Sequence, residues 1–297
     1  MQKIVAMLRL MRPANIVTAV SDILAGIAIA GYFTAGDASF FPIILLVIST
    51  VGLYGGGVVF NDVFDADLDS VERPERPIPS GVVTKNEAGL LGIVLLFAGI
   101  ALAGVVHAGF FDISSWLAIA IAVSALIYDR WGKHNKLFGP LNMGVCRGLN
   151  LLLGISIIPA ALTQFWYLGL VPVIYIAAIT MISRGEVHGG KKTTLFFALF
   201  LYGIVAGIIW GIGVWNENRL LTSGCLVIFL IMVLLPLFRA IKNPSGPMIG
   251  KAVKAGVIAL IVMNASWAAA FGLPYIVLLI LVLLPVSLLL AKLFAVT

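Results

Sequence analysis

Long apolar stretches alternate with short polar ones along this chain. Ten mostly apolar segments fall near 14–34, 41–60, 87–108, 113–129, 139–161, 165–183, 194–214, 221–238, 252–271 and 274–295. Most run about 18–23 residues, the length a helix needs to cross a ~30 Å hydrocarbon core. Strands of a membrane barrel would be about half as long and would alternate apolar with polar positions. The pattern predicts an all-α integral membrane protein, a bundle of nine to ten transmembrane helices. The count depends on Gly272-Leu273-Pro274, where the last two segments are either separate or one broken element. No soluble stretch or low-complexity linker interrupts the series, so residues 1–297 read as a single transmembrane domain. The opening MQKIVAMLRLMRPANIV has no small-residue cleavage site after its first apolar run and reads as retained.

Composition agrees: 61% of residues are hydrophobic and 11% charged, against about 25% charged in soluble domains. Mean hydropathy is +1.12 and the pI about 9.4. The net charge of +6 would suit nucleic acid in a soluble protein. In a multi-pass membrane protein it marks cytoplasmic loops instead. With the N-terminus inside, sixteen of the nineteen Lys and Arg fall in the inward segments, and Arg219 is the only one in an outward loop. The expected arrangement is a cytoplasmic N-terminus in a cell inner membrane, a lipid bilayer as surroundings, no nucleic acid and no obligate protein partner. Cys146 and Cys225 both lie in apolar segments and read as packing residues.

The longest polar stretch is NDVFDADLDSVERPERPIPSG, residues 61–81, with six carboxylates between Asp62 and Glu75. As the end of the second helix, Asn61, Asp65 and Asp69 are spaced i, i+4, i+8 and share one face, Asp62 flanks them, and Asp67 points elsewhere. Like charges at i, i+4 repel, so the stripe does not serve the helix. A bound cation removes the repulsion, and oxygen ligands suit Mg²⁺. Mg²⁺ is usually held by one or two carboxylates plus substrate phosphate, which suggests a phosphate-bearing ligand. The plainer reading is a solvated helix end with scattered ion pairs. Arg73 and Arg76 either neutralise phosphate or follow the positive-inside rule. An EF-hand fails, because Ser70 and Arg76 stand where Gly and Glu are required. A zinc site fails because His107, His134 and His188 are far apart in sequence.

The run Asn61-Asp62-x-x-Asp65-x-x-x-Asp69, followed by Arg73-Pro74 and Arg76-Pro77-Ile78-Pro79-Ser80-Gly81, resembles the first aspartate-rich motif of the UbiA superfamily of intramembrane prenyltransferases. The resemblance extends to Leu10-Met11-Arg12-Pro13, to Tyr128 and Lys133 after the fourth segment, and to the polar loop after the sixth. It implies Mg²⁺-dependent transfer of an isoprenyl group from an isoprenyl diphosphate to an aromatic or other lipophilic acceptor. It further implies that Asn61, Asp62, Asp65 and Asp69 hold Mg²⁺–diphosphate, that Arg73, Lys133 and Arg147 stabilise the leaving group, and that Tyr128 and Lys191 contact substrate.

The family's second motif carries several aspartates. Here it reads Ser183-Arg184-Gly185-Glu186-Val187-His188-Gly189-Gly190-Lys191-Lys192-Thr193-Thr194-Leu195, with Glu186 its only acid. This version, with GPLNMGVCRGLNLLLG in the fifth segment, resembles the EboC-like branch. Glu186 and His188 either hold an ion or act on the acceptor proton; His188 is otherwise an ordinary loop residue. Within the spans, Asn142, Arg147 and Asn150 either line the substrate site or bond helix to helix, and Asp22 can pair with Arg147. The eroded second motif keeps a second function open: a catalytically degenerate relative that binds or transports a prenylated or phosphorylated metabolite.

Overall fold

The computed structural model describes residues 2–34, 36, 38–107, 112–135, 138–186 and 189–294. The major elements are helices: α1 (Gln2–Met11), α2 (Pro13–Ile29), α3 (Phe40–Phe64), α4 (Ala66–Glu72), α5 (Lys85–Val105), α6 (Ile113–Arg130), α7 (Phe138–Ile155), α8 (Pro159–Phe165), α9 (Leu170–Ser183), α10 (Lys192–Trp215), α11 (Arg219–Lys242), α12 (Gly246–Ala270) and α13 (Pro274–Leu293). Every apolar segment expected from the sequence is helical. By length and apolar composition eight helices qualify as membrane spans, with Pro159–Ser183 counted as one, and the bent pair α1–α2 makes a possible ninth. This matches the lower end of the expected count. The shortfall from ten lies in α7, which carries Asn142, Arg147 and Asn150 in 18 residues.

Local chemistry sets the helix ends. Pro13 opens α2, where its missing N–H costs nothing. Thr84 and Glu87 form a reciprocal capping box at α5. Asp112 caps α6 by accepting from the Ser115 N–H. Gly272, at φ +73°, turns the chain between α12 and α13; these are two helices, not one re-entrant element.

Hydrophobic burial between helices is weak in lipid, so close backbone packing must hold the bundle. Glycine makes it possible at the α2–α7 crossing. A Cβ on Gly26 would lie 2.3 Å from the Leu151 carbonyl oxygen, and one on Gly154 would lie 2.4 Å from that of Ile23. One apolar cluster joins α9, α10, α11 and α12 around Tyr175, Tyr202, Phe229 and Trp267. A second joins α2, α3, α5, α6, α12 and α13 around Ile23, Leu46, Leu53 and Ile280. Large apolar side chains such as Phe97, Phe200, Leu278 and Leu289 remain exposed around the outside, as a lipid-facing surface requires. The protein is a multi-pass, all-helical membrane protein.

A run of side-chain and loop contacts gathers the polar segments at one end of this bundle. Lys3 pairs with Glu87 at 2.5 Å and Arg12 with Asp62 at 2.7 Å. Arg184 donates to the Asn135 carbonyl at 3.3 Å, and the Gly190 N–H donates to the Pro244 carbonyl at 3.1 Å. Thus the loops after α3, α6, α9 and α11 share a face.

Candidate functional site

The acidic stripe is not on one unbroken helix. α3 stops at Phe64, Asp65 sits at φ −88°, ψ 0°, and α4 begins at Ala66. The spacing survives the break. The N–H of Asp65 donates to Asn61 (3.0 Å), that of Asp69 to Asp65 (2.8 Å) and that of Arg73 to Asp69 (2.8 Å). Each four-residue step therefore still advances one turn, and the predicted alignment holds. Asp67 is exposed and faces Lys85 at 3.6 Å, away from the other carboxylates as expected.

Each carboxylate of the stripe has a basic partner. Asp62 is buried and accepts from Arg12 at 2.7 Å and from Arg76 at 3.4 Å. Asp69 is buried and accepts from Arg76 at 2.7 Å, while Arg73 stands 3.9 Å away and half in solvent. Lys133, in the turn after α6, donates to Asp65. Asn61 Nδ2 donates to Asp129 at 2.9 Å. Among the described residues, no three or more His, Cys, Asp or Glu side chains stand close enough to share a metal ion.

Below this polar layer is a cavity of about 330 Å³. Its walls come from α2, α3, α6, α7, α9 and α12. Arg12, Asn61, Tyr128 and Asp129 line it together with Arg147 and Asn150 on α7, and Leu53, Ile121, Ile176 and Leu260 make its apolar surface. The volume lies within the ~300–1,000 Å³ range of ligand pockets, which combine apolar walls with a few convergent polar groups.

Arg147 is held from three sides. It donates to Asp22 Oδ2 at 2.7 Å and to Thr18 Oγ1 at 2.6 Å, and its guanidinium lies 5.1 Å from the centre of the Tyr54 ring. Asn150 donates to Asp22 at 3.1 Å and to the Ala19 carbonyl at 2.9 Å, and accepts from Thr50 at 2.7 Å. Asn264 donates to the other Asp22 oxygen at 2.7 Å. This network crosses α2, α3, α7 and α12. A charge so deep in a bundle is costly without a partner, and here Asp22 supplies one. Both sequence readings apply: Arg147 and Asn150 bond helix to helix and also line the cavity.

The remaining candidates are dispersed. Asn142 is buried but outside the cavity wall, facing Gly132 in the turn after α6; among the described residues its Nδ2 has no hydrogen-bond partner. Lys191 is exposed and precedes the first turn of α10. Glu186 is exposed beside Gly250, and its partial burial pushes its carboxyl up from the ordinary value. It is not part of the cavity wall. His188 lies outside the described residues.

Sequence reasoning missed two participants, Arg12 and Asp129, and left a third, Arg76, without its partners. Arg12 was visible only as half of an Arg-Pro pair; its backbone is left-handed (φ 51°, ψ 66°), uncommon for a residue with a side chain. Asp129 was hidden as the helix-terminal neighbour of Tyr128. Arg76, which in sequence reads as either neutralising phosphate or following the positive-inside rule, bridges Asp62 and Asp69.

The model for the UbiA prenyltransferase family matches residues 24–247, three-quarters of the chain. The chain belongs to that family. A digeranylgeranylglyceryl phosphate synthase of Sulfolobus acidocaldarius is 30% identical over 244 residues, 77% of this chain and 82% of its own. Those of Methanothrix thermoacetophila and Methanothermobacter thermautotrophicus are 32% and 30% identical. The matched part spans about half of those relatives' lengths, 57% and 49%. A solved structure concerning digeranylgeranylglyceryl phosphate synthase superposes with a TM-score of 0.68 at 22% identity, covering 91% of this chain and 99% of the other. A UbiA homolog of Archaeoglobus fulgidus, bound to GPP and Mg²⁺, superposes with 0.64 at 16% identity, covering 90% and 99%. These likenesses establish the fold. The relatives do not single out the EboC-like branch.

Proposed function

We propose that this chain is a Mg²⁺-dependent intramembrane prenyltransferase, moving an isoprenyl group from an isoprenyl diphosphate to a lipophilic acceptor. The observation that carries the reading is the stacking of Asn61, Asp62, Asp65 and Asp69, with Arg12, Arg76 and Lys133 at the same place, over the mouth of an apolar cavity. The Mg²⁺-bound Archaeoglobus homolog and the synthase relatives support it.

The donor set suits the metal. It offers oxygen and no thiolate or imidazole, as hard cations prefer. The absence of a ready-made cage among the described residues fits an ion that keeps water and substrate phosphate as ligands. When bound, Mg²⁺ would neutralise diphosphate charge and bring it to the carboxylates. The protein groups do the rest. Asp62, Asp65 and Asp69 would hold the ion, which would free Arg12, Arg76 and Lys133 to exchange carboxylate for phosphate partners. Those cations then meet negative charge as the diphosphate leaves, which favours the transition state over the ground state. Tyr54, Tyr128 and the apolar walls keep water from the allylic centre. Arg147, bound to Asp22, holds the shape of the cavity and keeps its own charge matched.

Placement in the EboC-like branch rests on the short Ser183–Gly190 loop with its single acid. The positive-inside bias supports a cytoplasmic face for the site. A binding or transport role without turnover has one observation in its favour: Glu186 stands apart from the cavity. One experiment separates the readings. Purified protein in nanodiscs is incubated with geranyl diphosphate and an acceptor panel, with and without Mg²⁺, beside Asp65→Ala. Mg²⁺-dependent diphosphate release that the variant lacks is expected. Binding without release across the panel would shift the assignment to the non-catalytic role, and no binding would overturn both.

A further inference from the structure

The cavity wall runs along α3 from Asn61 at the mouth to Thr50, and along α6 from Asp129 to Ile121. At about 1.5 Å of rise per residue these stretches are about 16 Å and about 12 Å long. The deep lining residues Thr50, Leu53, Ile121, Asn150, Ile176 and Leu260 are all buried. One turn further from the mouth stand Leu46 on α3, Ala118 on α6 and Leu153 on α7. These three are fully enclosed, belong to one apolar cluster and take no part in the cavity wall. The described residues thus close the cavity at the level of Thr50 and Asn150.

At that level lies a polar crossbar. Thr50 Oγ1 donates to Asn150 Oδ1 at 2.7 Å and ties α3 to α7. Asn150 is held in that orientation, because its Nδ2 donates to the Ala19 carbonyl at 2.9 Å and to Asp22 at 3.1 Å. An apolar side chain at the bottom of a cavity can change rotamer to admit a longer ligand. This bar yields only by leaving buried polar atoms unpaired, and a hydrocarbon tail offers them nothing in exchange.

We propose that the Thr50–Asn150 bond is the floor of the donor's tail channel and limits the isoprenyl group to about two to three isoprene units. The proposal rests on the prenyl-transfer reading and deepens it by naming the donor class. With the diphosphate at the level of Asn61, the tail runs down the cavity. An extended chain reaches about 3.5 Å per three bonds, so a four-bond isoprene unit takes about 5 Å. Three units need about 15 Å and four about 20 Å, against the about 12–16 Å that the wall provides. A fourth unit has to displace the bar or enter the packed layer beneath it.

The test uses the full chain in nanodiscs with Mg²⁺ and the S-thiolodiphosphate analogues of geranyl, farnesyl and geranylgeranyl diphosphate, which resist transfer. Affinities are corrected for uptake by empty nanodiscs. Wild type should bind the geranylgeranyl analogue about tenfold or more weakly than the farnesyl one, the scale of forcing extra carbons into a packed core. Two substitutions push the cut in opposite directions, so one misfolded variant does not decide the matter, and thermal unfolding in detergent identifies it. Thr50→Ala removes the bar and should weaken the discrimination by about threefold or more. Thr50→Leu raises the floor and should cost the farnesyl analogue about tenfold relative to the geranyl one. If wild type binds none of the three analogues, the prenyl-transfer reading falls and this inference with it. If wild type binds the geranylgeranyl and farnesyl analogues equally, the tail leaves between helices into lipid and the inference alone falls. A folded Thr50→Ala or Thr50→Leu protein that keeps the wild-type length profile also overturns it.

Discussion

The loops after α3 and α9 lie at the same end of the bundle and follow apolar helices of the same family fold, yet their chemistry differs. After α3, buried carboxylates at 62 and 69 each hold an arginine, and a half-buried one at 65 holds Lys133. After α9, one exposed glutamate remains, Ser183 spends its hydroxyl on the Thr180 carbonyl at 2.9 Å, and Gly190 secures the chain through the Pro244 carbonyl. The first loop stores charge in pairs that a metal and a phosphate can exchange. Among its described residues the second is fastened by hydrogen bonds to backbone carbonyls, that of Arg184 to Asn135 included, and pairs no carboxylate with a base. An aspartate-rich site can therefore be asymmetric, one side carrying the electrostatics and the other closing the structure.

The most damaging way to break this comparison is at the first loop. Asp65→Ala should lower Mg²⁺-dependent diphosphate release by about 10²–10³-fold, the cost of losing a preorganised charge at a site of developing charge. If Glu186→Gln did equal harm in the same assay, the two loops would be equivalent and the asymmetry wrong.

Next in size is the buried pair outside either loop. Arg147→Leu leaves Asp22 uncompensated and should cost about 3–5 kcal/mol of stability. Thermal unfolding in detergent would show it, and adding Asp22→Leu should restore part of the loss. Unlike the pairs at the membrane surface, this one has no exchange partner to receive its charge, so Mg²⁺ should not alter its effect.

Glu186→Gln itself should reduce release by less than about tenfold, since an exposed carboxylate with no ion-pair partner among the described residues contributes little. Adding charge is a sharper probe than removing it. Ser183→Asp should raise Mg²⁺ affinity by about two- to fivefold, the scale of a modest electrostatic gain near a surface, read by titrating Mg²⁺ against release of diphosphate. No gain would show that the second loop lies beyond reach of the metal. The smallest effect is expected at Arg73, half exposed and 3.9 Å from Asp69. Arg73→Gln should change stability by about 0–1 kcal/mol, whereas Arg76→Gln, which takes one basic partner from each of two buried carboxylates, should cost more in the same unfolding assay.

Hydropathy period and length alone determined the helical membrane fold, because in lipid every backbone polar group must be satisfied within its own segment. The i, i+4 spacing placed Asn61, Asp65 and Asp69 together, because it depends only on local geometry and survived even the break at Asp65. Intramembrane rarity singled out Asn142, Arg147 and Asn150 as either cavity residues or bonds between helices, because a polar group in a span must find a partner or a cavity. Tertiary structure decided what no spacing encodes. Arg12 reaches Asp62 across fifty residues, Asn61 reaches Asp129 across sixty-eight, and Arg147 reaches Asp22 across 125. It also excluded Asn142 from the cavity wall, although Asn142 and Asn150 look alike on a helical projection. Which carboxylate meets which partner depends on how helices distant in sequence cross, and small residues such as Gly26 and Gly154 set those crossings only when both are present.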